Sequence, residues 1–304
     1  MLQADYPTPS VKPPAADALA GLVDFVARHP RLFVLGGAGV STGSGIPDYR
    51  DAAGAWKRTP PVTYQAFTQD AYTRSRYWAR SLVGWRVIGQ AQPNLAHRAL
   101  ATLESLDRIE LLVTQNVDGL HEAAGSRRTL DLHGRIDRIV CLACGDLSAR
   151  AGFQQRLLSL NPEWAELQAD TAPDGDADLE GRDFGRFVVP DCPACGGMLK
   201  PDVVFFGENV PAARVEAAMQ ALRQADAMLV VGSSLMVYSG YRFAKAAADW
   251  QRPIAAINLG KTRADDLLTL KVQHEIGASL SALVQALRTA DRNDSPPAVP
   301  SRAD

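Results

Sequence analysis

The sequence has almost no excess charge and no long apolar run. Its 304 residues include 32 Lys and Arg against 34 Asp and Glu, a formal net charge of −2. That balance gives no electrostatic reason to expect nucleic acid as a partner. No apolar run approaches the ~20 residues that span a bilayer, so we expect no membrane partner. The segment from Met1 to Pro14 lacks the apolar core of a signal peptide and the arginines of a transit peptide, which predicts a cytoplasmic protein.

Cysteine is also scarce. The four cysteines form two pairs, Cys141-Leu-Ala-Cys144 and Cys192-Pro-Ala-Cys195. In a reducing compartment, two Cys-x-x-Cys pairs form a structural zinc site far more often than disulfides. Glycine follows each pair and permits the tight backbone of a zinc knuckle. We therefore predict one structural Zn²⁺ per chain, with disulfides as the alternative. Four thiolates leave no coordination position for a substrate.

Short apolar runs rich in Val, Ile, Leu and Phe recur along the chain and predict buried parallel strands. These runs are 31–35, 109–113, 203–206, 228–231 and 254–257. Patterns with helical periodicity separate most of them, at 15–28, 94–106, 212–224 and 241–250. Strands that alternate with helices favour an α/β fold with a doubly wound, parallel, Rossmann-like sheet.

Two segments interrupt this pattern and divide the chain. Residues 59–91, rich in aromatics and arginine, predict a helical insertion, and residues 139–200 hold both cysteine pairs and predict a smaller zinc-binding module. The sheet domain then comprises residues 15–58, 92–138 and 201–290. The acidic stretch 170–183 is typical of a solvated surface loop, and residues 1–14 and 291–304 are typical of disordered tails.

Polar, glycine-rich segments follow four of the predicted strands. They are Gly36–Ser41, Thr114–Gly119, Gly232–Ser234 and Asn258–Gly260. Open α/β sheets bind ligands at the carboxyl ends of their strands, so these four segments together predict one ligand site.

The first of these segments predicts a dinucleotide site but not hydride transfer. Gly37 and Gly39 would let the backbone approach a pyrophosphate, held by free N–H groups at the next helix start. The dehydrogenase fingerprint, however, needs a third glycine where this chain has Thr42, and an acidic residue about 20 positions on that is not evident. Taken alone, the glycines are also compatible with a simple tight turn.

Beyond the glycines, the same segment resembles the cofactor-binding loop of the sirtuin family, through Gly37-Ala38-Gly39-Val40-Ser41 and Gly45-Ile46-Pro47-Asp48-Tyr49-Arg50. Further motifs match that family in order and spacing: Gln115-Asn116-Val117-Asp118, His133-Gly134, the two cysteine pairs, Lys200–Glu208, Gly232-Ser233-Ser234 and Asn258-Leu259-Gly260. The resemblance covers roughly residues 15 to 290. The long spacer between the cysteine pairs, with Arg76–Arg80 and Val237–Phe243, resembles class II, the branch that contains mitochondrial sirtuin 4.

The resemblance implies an NAD-dependent protein lysine deacylase. In that reaction nicotinamide leaves the ribose of NAD and the acyl oxygen of a substrate lysine attacks the exposed carbon. The ribose 2′-hydroxyl attacks next, once a base has taken its proton. His133 is the implied base, since imidazole titrates near neutral pH. Asn116 is implied to position the ribose and Asp118 to bind the nicotinamide amide. The alternative for Asp118 is a helix cap.

The resemblance also implies which residues bind NAD and substrate. Besides Asn116 and Asp118, the implied NAD-binding residues are Gly37, Ala38, Gly39, Ser41, Ile46, Pro47, Asp48, Tyr49, Arg50, Gln115, Val117, Gly232, Ser233, Ser234, Asn258, Leu259, Gly260 and Ile276. Two segments resemble the strands that clasp an acylated lysine peptide, through Val204, Phe205, Phe206, Gly207, Glu208, Leu235, Val237 and Tyr238. Strand addition contacts the main chain and therefore predicts loose peptide specificity.

The acyl preference depends on one pair of side chains. Tyr77 and Arg80 have the Tyr-x-x-Arg spacing with which some sirtuins hold a distal carboxylate, and arginine suits a carboxylate through paired hydrogen bonds. The pair predicts acidic or long acyl groups as substrates. The alternative is that Arg80 joins a surface salt bridge, the usual fate of an arginine in an arginine-rich helix.

Other functions are compatible with the same residues. Protein mono-ADP-ribosyl transfer needs the same cofactor pocket, and a non-catalytic NAD-sensing module would have no need of His133. Of the other histidines, His97 and His121 are predicted to be structural. Because no coiled coil or exposed apolar stripe is evident, we expect a monomer.

Overall fold

The structure is a computed structural model that describes residues 13–49, 51, 53–55, 57, 61–167, 179 and 182–293. Arg50, residues 1–12, residues 294–304 and most of the acidic stretch 170–183 lie outside the described residues. Within the described ranges, no helix is long and apolar enough to cross a bilayer.

The helices and strands alternate along most of the chain. The α-helices are α1 (Ala16–Arg28), α2 (Tyr64–Gln69), α3 (Ala71–Ile88), α4 (Leu95–Ser105), α5 (Leu120–Ala123), α6 (Arg150–Leu160), α7 (Ala212–Gln224), α8 (Tyr238–Asp249) and α9 (Ile276–Asn293). The strands are β1 (Leu32–Gly36), β2 (Ile109–Thr114), β3 (Thr129–Asp131), β4 (Gly134–Cys141), β5 (Leu147–Ala149), β6 (Leu199–Val203), β7 (Ala227–Val231), β8 (Ile254–Ile257) and β9 (Leu270–Val272). Helix α9 extends three residues into the segment predicted as a disordered tail, residues 291–304.

A six-stranded parallel sheet forms the larger part of the fold, in the order β3-β2-β1-β7-β8-β9. The α/β, Rossmann-like prediction is therefore confirmed. Every residue of β1, β7 and β8 is buried, as expected for strands covered by helices on both faces. The strand order reverses between β1 and β7, and the crevice at that switch point is where such sheets bind ligands.

A second, three-stranded antiparallel sheet has the order β5-β4-β6 and corrects one prediction. The run 203–206 is not a strand of the parallel sheet. Strand β6 begins earlier and ends at Val203, and Phe206 forms only an isolated bridge with Thr63. Pro201 lacks an N–H donor, which suits its place in an edge strand of the small sheet. The apolar side chains of the run line a cavity, and Phe205 also packs into the cluster that contains Trp78.

Apolar clusters fix the two sheets and the helices in place. Alternate residues of β1 pack into one cluster on each face of the large sheet, with Val34 in one and Phe33 in the other. A third cluster joins Trp78 of α3 to Phe153 of α6 and Phe187 near the second cysteine pair. The predicted helical insertion and the predicted zinc module therefore share a core, and the domain boundaries stay a prediction.

Candidate active site and zinc centre

A cavity of about 650 Å³ opens at the carboxyl edge of the large sheet. Its lining includes the segments that follow β1, β2, β7 and β8, as predicted from their glycines and polar residues. Every predicted NAD-binding residue that the structure describes lies in this lining. So do the predicted substrate-binding residues, with the exception of Arg80. One cavity thus brings together residues that are more than 200 positions apart in the chain.

His133 lies just beyond β3 and projects into this cavity. Its Nδ1 is 2.9 Å from the carbonyl oxygen of Gln115, and its Nε2 is 2.8 Å from the hydroxyl of Ser239. Because a carbonyl only accepts, Nδ1 carries the proton and Nε2 is the acceptor from Ser239. Burial lowers the pKa of His133 to about 4. The imidazole is therefore neutral at pH 7, with a basic nitrogen facing the cavity.

Two amide side chains after β2 tie the cavity loops together. Asn116 donates from Nδ2 to the Gly37 carbonyl at 3.1 Å and to the Ser41 hydroxyl at 2.9 Å. Gln115 donates from Nε2 to the Ser233 hydroxyl at 2.8 Å. These bonds connect the loop after β2 to the loops after β1 and β7. The cavity walls are therefore positioned before any ligand binds, which limits the entropy lost on binding.

Asp118 has two roles in the structure. One carboxylate oxygen accepts from the backbone N–H of Leu120 at 2.9 Å, at the start of α5. The other accepts from the Ser41 hydroxyl at 2.6 Å, at the cavity wall. Asp118 is not the cap of α5, because Gly119 is the N-cap residue of that helix and Asp118 precedes it. The bond to Leu120 holds the turn that enters the helix, and the second carboxylate oxygen lies at the cavity wall.

His97 and His121 lie buried behind this wall, in line with the structural roles predicted for them. Their ring centroids are 4.8 Å apart, and the Asn94 backbone N–H donates to Nδ1 of His97 at 3.3 Å. Burial lowers the pKa of His97 to about 4 and that of His121 to about 3. Both rings are therefore neutral at physiological pH.

The glycines of the cavity let two loops touch. A Cβ on Gly37 would lie 2.7 Å from the Ser233 Cβ, and one on Gly232, whose φ is +60°, would lie 2.6 Å from the Val40 nitrogen. The Gly39 N–H donates to the Gly232 carbonyl at 2.9 Å, so it is not free for a phosphate as the sequence suggested. The expected helix start is also replaced by two short 3₁₀ turns. Adjacent parallel strands bring these loops together, and glycine permits their contact.

The donor set of the cavity fits a dinucleotide. Its lining includes the hydroxyl groups of Ser233 and Ser234, the amide of Asn258 and the neutral imidazole of His133. Hydroxyl and amide groups suit the phosphate and ribose oxygens of NAD. Glycine in the cavity wall lets the protein backbone come close to the pyrophosphate of NAD.

The four cysteines lie together, away from the cavity, and fit structural zinc. Their Sγ atoms are all within 4.8 Å of one another, with Cys141 to Cys195 at 3.5 Å and Cys144 to Cys192 at 3.9 Å. Tetrahedral coordination at about 2.3 Å from zinc sets neighbouring sulfurs about 3.8 Å apart. No disulfide joins these four described residues.

The two cysteine turns have matching geometry. The Gly145 N–H donates to the Cys141 carbonyl and the Gly196 N–H to the Cys192 carbonyl, each at 2.9 Å. Both glycines have positive φ, +76° and +71°, which other residues rarely adopt. The predicted zinc-knuckle glycines are confirmed at these two positions.

Sequence reasoning missed two cavity residues on α8, Ser239 and Arg242. Both line the cavity, and Ser239 contacts the proposed base directly. Within the segment 237–243, only Val237 and Tyr238 are predicted to bind substrate, because nothing in the pattern of the following residues shows which side chains face a ligand.

Of the predicted acyl-binding pair, Tyr77 lines the cavity and Arg80 does not. Tyr77 is buried, packs edge-on against Phe67 at 5.3 Å between ring centroids, and lines the cavity. Arg80 is half-buried one turn later on α3 and lies outside the lining.

The chain is similar to proteins of one known family. The model of the Sir2 family matches residues 37–239. A "NAD-dependent protein deacetylase 2" of Bradyrhizobium diazoefficiens is 64% identical over 263 residues, covering 86% of this chain and 96% of that protein. A "NAD-dependent protein deacetylase" of Bordetella bronchiseptica is 61% identical over 266 residues, covering 88% and 97%. A solved structure of Sir2 with a p53 peptide and NAD⁺ is 28% identical, with a TM-score of 0.73, covering 89% of this chain and 99% of that one.

The class II assignment, the monomeric state and the cytoplasmic location stay predictions.

Proposed function

Because the chain belongs to the Sir2 family, we propose that it removes acyl groups from lysine side chains of proteins, with NAD as co-substrate and His133 as the general base. Its core activity is NAD-dependent protein deacetylation, the activity for which both bacterial relatives are named. The range of acyl groups beyond acetyl is part of the proposal. The observation that carries the assignment of the base is the neutral imidazole of His133, with Nε2 turned into the cavity.

His133 takes a proton at Nε2 and keeps its Nδ1–H on the Gln115 carbonyl, which stabilises the charged ring. When bound, NAD supplies a ribose carbon that accepts the acyl oxygen and a hydroxyl that needs such a base. The Ser239 hydroxyl occupies Nε2 at 2.8 Å and must yield that position to the ribose. The low pKa keeps the base unprotonated over the whole physiological range.

Asp118, Ser41 and Asn116 orient the nicotinamide and ribose in this proposal. The carboxylate oxygen of Asp118 that accepts from Ser41 is the natural acceptor for an amide N–H. The hydroxyl of Ser41 then turns to another oxygen. Asn116 holds the loop that carries Ser41, so its role combines orientation with support.

The substrate peptide is proposed to enter between residues 204–208 and residues 235–238. The Val204 N–H donates to the His133 carbonyl at 2.8 Å, which places this segment beside the base. Val237 has extended backbone angles, with φ −82° and ψ 130°. Neither segment is a strand in the described structure: Leu235 has a φ of +55° and Tyr238 is the first residue of α8. Main-chain pairing with the peptide is therefore proposed for the extended backbone at Val237 and for residues 204–208, and Tyr238 would contact the peptide through its side chain.

The direct test incubates the protein with NAD and an acetyl-lysine peptide, and follows products by mass spectrometry. We expect nicotinamide, free lysine peptide and O-acetyl-ADP-ribose in equal amounts. His133→Ala should bind NAD, remain folded and lose turnover. His274→Ala, a change outside the cavity, should keep the turnover of the wild type. ADP-ribose attached to protein would indicate mono-ADP-ribosyl transfer instead, reduced nicotinamide would indicate hydride transfer, and NAD binding without nicotinamide release would indicate a sensor.

A preference for acidic or long acyl groups is proposed from Tyr77 and Arg80. The test compares acetyl-, lipoyl-, succinyl- and 3-methylglutaryl-lysine peptides with the wild type, Arg80→Ala and the control Arg76→Ala. A selective loss of the acidic substrates in Arg80→Ala supports the proposal. Unchanged relative preferences in that variant contradict it.

A further inference from the structure

Arg242 carries a charge that faces the cavity beside the proposed base. It lies on α8 three residues after Ser239, so the two side chains share one face of the helix. Both line the cavity. The positive charges of Arg242 and Arg214 each contribute to the lowered pKa of His133, which places both guanidinium groups in the electrostatic neighbourhood of the imidazole.

Among the described residues, the guanidinium of Arg242 has no hydrogen-bond or ion-pair partner. Its Nε is buried without an acceptor, and the group lies over the Tyr238 ring at 5.3 Å from the centroid. Arg214, by comparison, lies 3.9 Å from the Asp202 carboxylate. A buried donor without an acceptor is costly, and stacking on an aromatic ring leaves the outer N–H groups pointing away from the ring.

The carboxylates that line the cavity have other partners. Asp48 pairs with Lys57, and Glu208 pairs with Lys200. The remaining acidic groups accept from hydroxyl or backbone N–H groups, as seen for Asp51, Asp118 and Glu275. The charge of Arg242 is thus left without a neutralising group from the described chain.

We propose that Arg242 forms an anion subsite that binds a carboxylate carried by the substrate. This inference rests on the proposed deacylase function and adds a specificity element to it. A planar guanidinium held against Tyr238 presents paired N–H donors with the spacing of a carboxylate. Tyr238 is 56% exposed and belongs to the segment proposed to contact the peptide, so the subsite lies towards the mouth of the cavity.

The carboxylate has two sources with the same chemistry. It is either an Asp or Glu side chain next to the acylated lysine or the distal carboxylate of an acidic acyl group. Three peptides separate them: acetyl-lysine flanked by glutamine, acetyl-lysine flanked by glutamate, and succinyl-lysine flanked by glutamine. The kcat/KM of each is measured at low salt, with the wild type, Arg242→Gln, Arg242→Lys and Lys245→Gln. Lys245 is exposed on the same helix, outside the cavity lining, and controls for the loss of one positive charge.

The expected result is a preference of about tenfold for one carboxylate-bearing peptide in the wild type, the size expected for a charge-assisted hydrogen bond to a half-buried group. Arg242→Gln should reduce that preference to about onefold, Arg242→Lys should keep part of it, and Lys245→Gln should keep all of it. High salt should weaken the wild-type preference.

Two results overturn the inference. One is a wild-type protein with the same kcat/KM for the carboxylate-bearing peptides as for the neutral acetyl peptide. This result does not depend on whether any variant folds. The other is an Arg242→Gln protein that keeps the wild-type preference among the peptides. A rise in the KM for NAD alone, with that preference unchanged, counts as the same result. Absence of turnover on the neutral acetyl peptide by the wild type would instead contradict the proposed function.

Discussion

The free energy of unfolding should fall steeply as the pH drops below 6.5, because the fold holds three histidines neutral. The pKa values of His97 and His133 lie at about 4 and that of His121 at about 3, against about 6.5 in an unfolded chain. Between these limits the unfolded state binds more protons than the folded state. The stability contributed by the neutral rings is therefore complete above pH 6.5 and is lost as the pH falls towards 4.

Asp131 opposes this trend. Burial raises its pKa to about 6, so the folded state holds a proton that the unfolded state releases above about pH 4. Its contribution is present at low pH and lost as the pH rises through 6. At pH 5, the three histidines together take up about three protons on unfolding and Asp131 releases about one. The net uptake is therefore about two protons. The slope is then about 2.7 kcal/mol per pH unit, a large part of the stability of an ordinary domain.

Urea unfolding followed by circular dichroism between pH 7 and 5, with excess zinc, measures this slope. The zinc content of the same samples must stay constant, since protonated cysteines release the metal. His133→Asn should reduce the slope by about 1.4 kcal/mol per pH unit, the value for one proton. His274→Asn, outside the buried set, should leave it as in the wild type. A flat profile, or stability that increases towards pH 5, would refute the reasoning.

Three further predictions concern single residues. Cys192→Ser should lower the zinc content below one per chain and reduce the melting temperature, measured by atomic absorption and scanning calorimetry; full zinc occupancy would argue against the four-thiolate site. Gly232→Ala should cost at least ~2 kcal/mol of unfolding free energy by denaturant titration, because its φ is +60° and a Cβ would lie 2.6 Å from Val40; a wild-type midpoint would contradict the loop contact. Ser239→Ala should lower kcat less than tenfold, whereas His133→Ala should lower it on the order of 10²–10⁴-fold. Equal losses in steady-state assays would contradict the proposal that the Ser239 hydroxyl only occupies Nε2 until the ribose binds.

The large sheet was predictable because its central strands are covered on both faces. Strands such as β1 and β7 are apolar at nearly every position, and this pattern can be recognised in the sequence without knowing which strands lie beside them. Strands β3 and β9 are three residues long, too short for a periodic signal, and only pairing with β2 and β8 makes them strands. The prediction of a parallel strand at 203–206 was wrong because apolar residues that line a cavity have the same composition as a buried strand.

The site was predictable where its residues follow strands and match a family motif. His133, Asn116 and the glycine loops all satisfy that condition, and one cavity brings them together. Ser239 and Arg242 do not, because the sequence pattern placed the start of their helix at residue 241. Helix α8 in fact begins at Tyr238, which moves both residues onto its first turns and towards the base. Tertiary packing, not local periodicity, determines that start.

The most direct test of the account is a crystal structure of the protein with NAD and an acetyl-lysine peptide. We expect Nε2 of His133 to leave Ser239 and lie about 2.6–3.2 Å from a ribose hydroxyl, the reach of a general base. An imidazole still bonded to Ser239, with every ribose hydroxyl beyond hydrogen-bond distance, would contradict it.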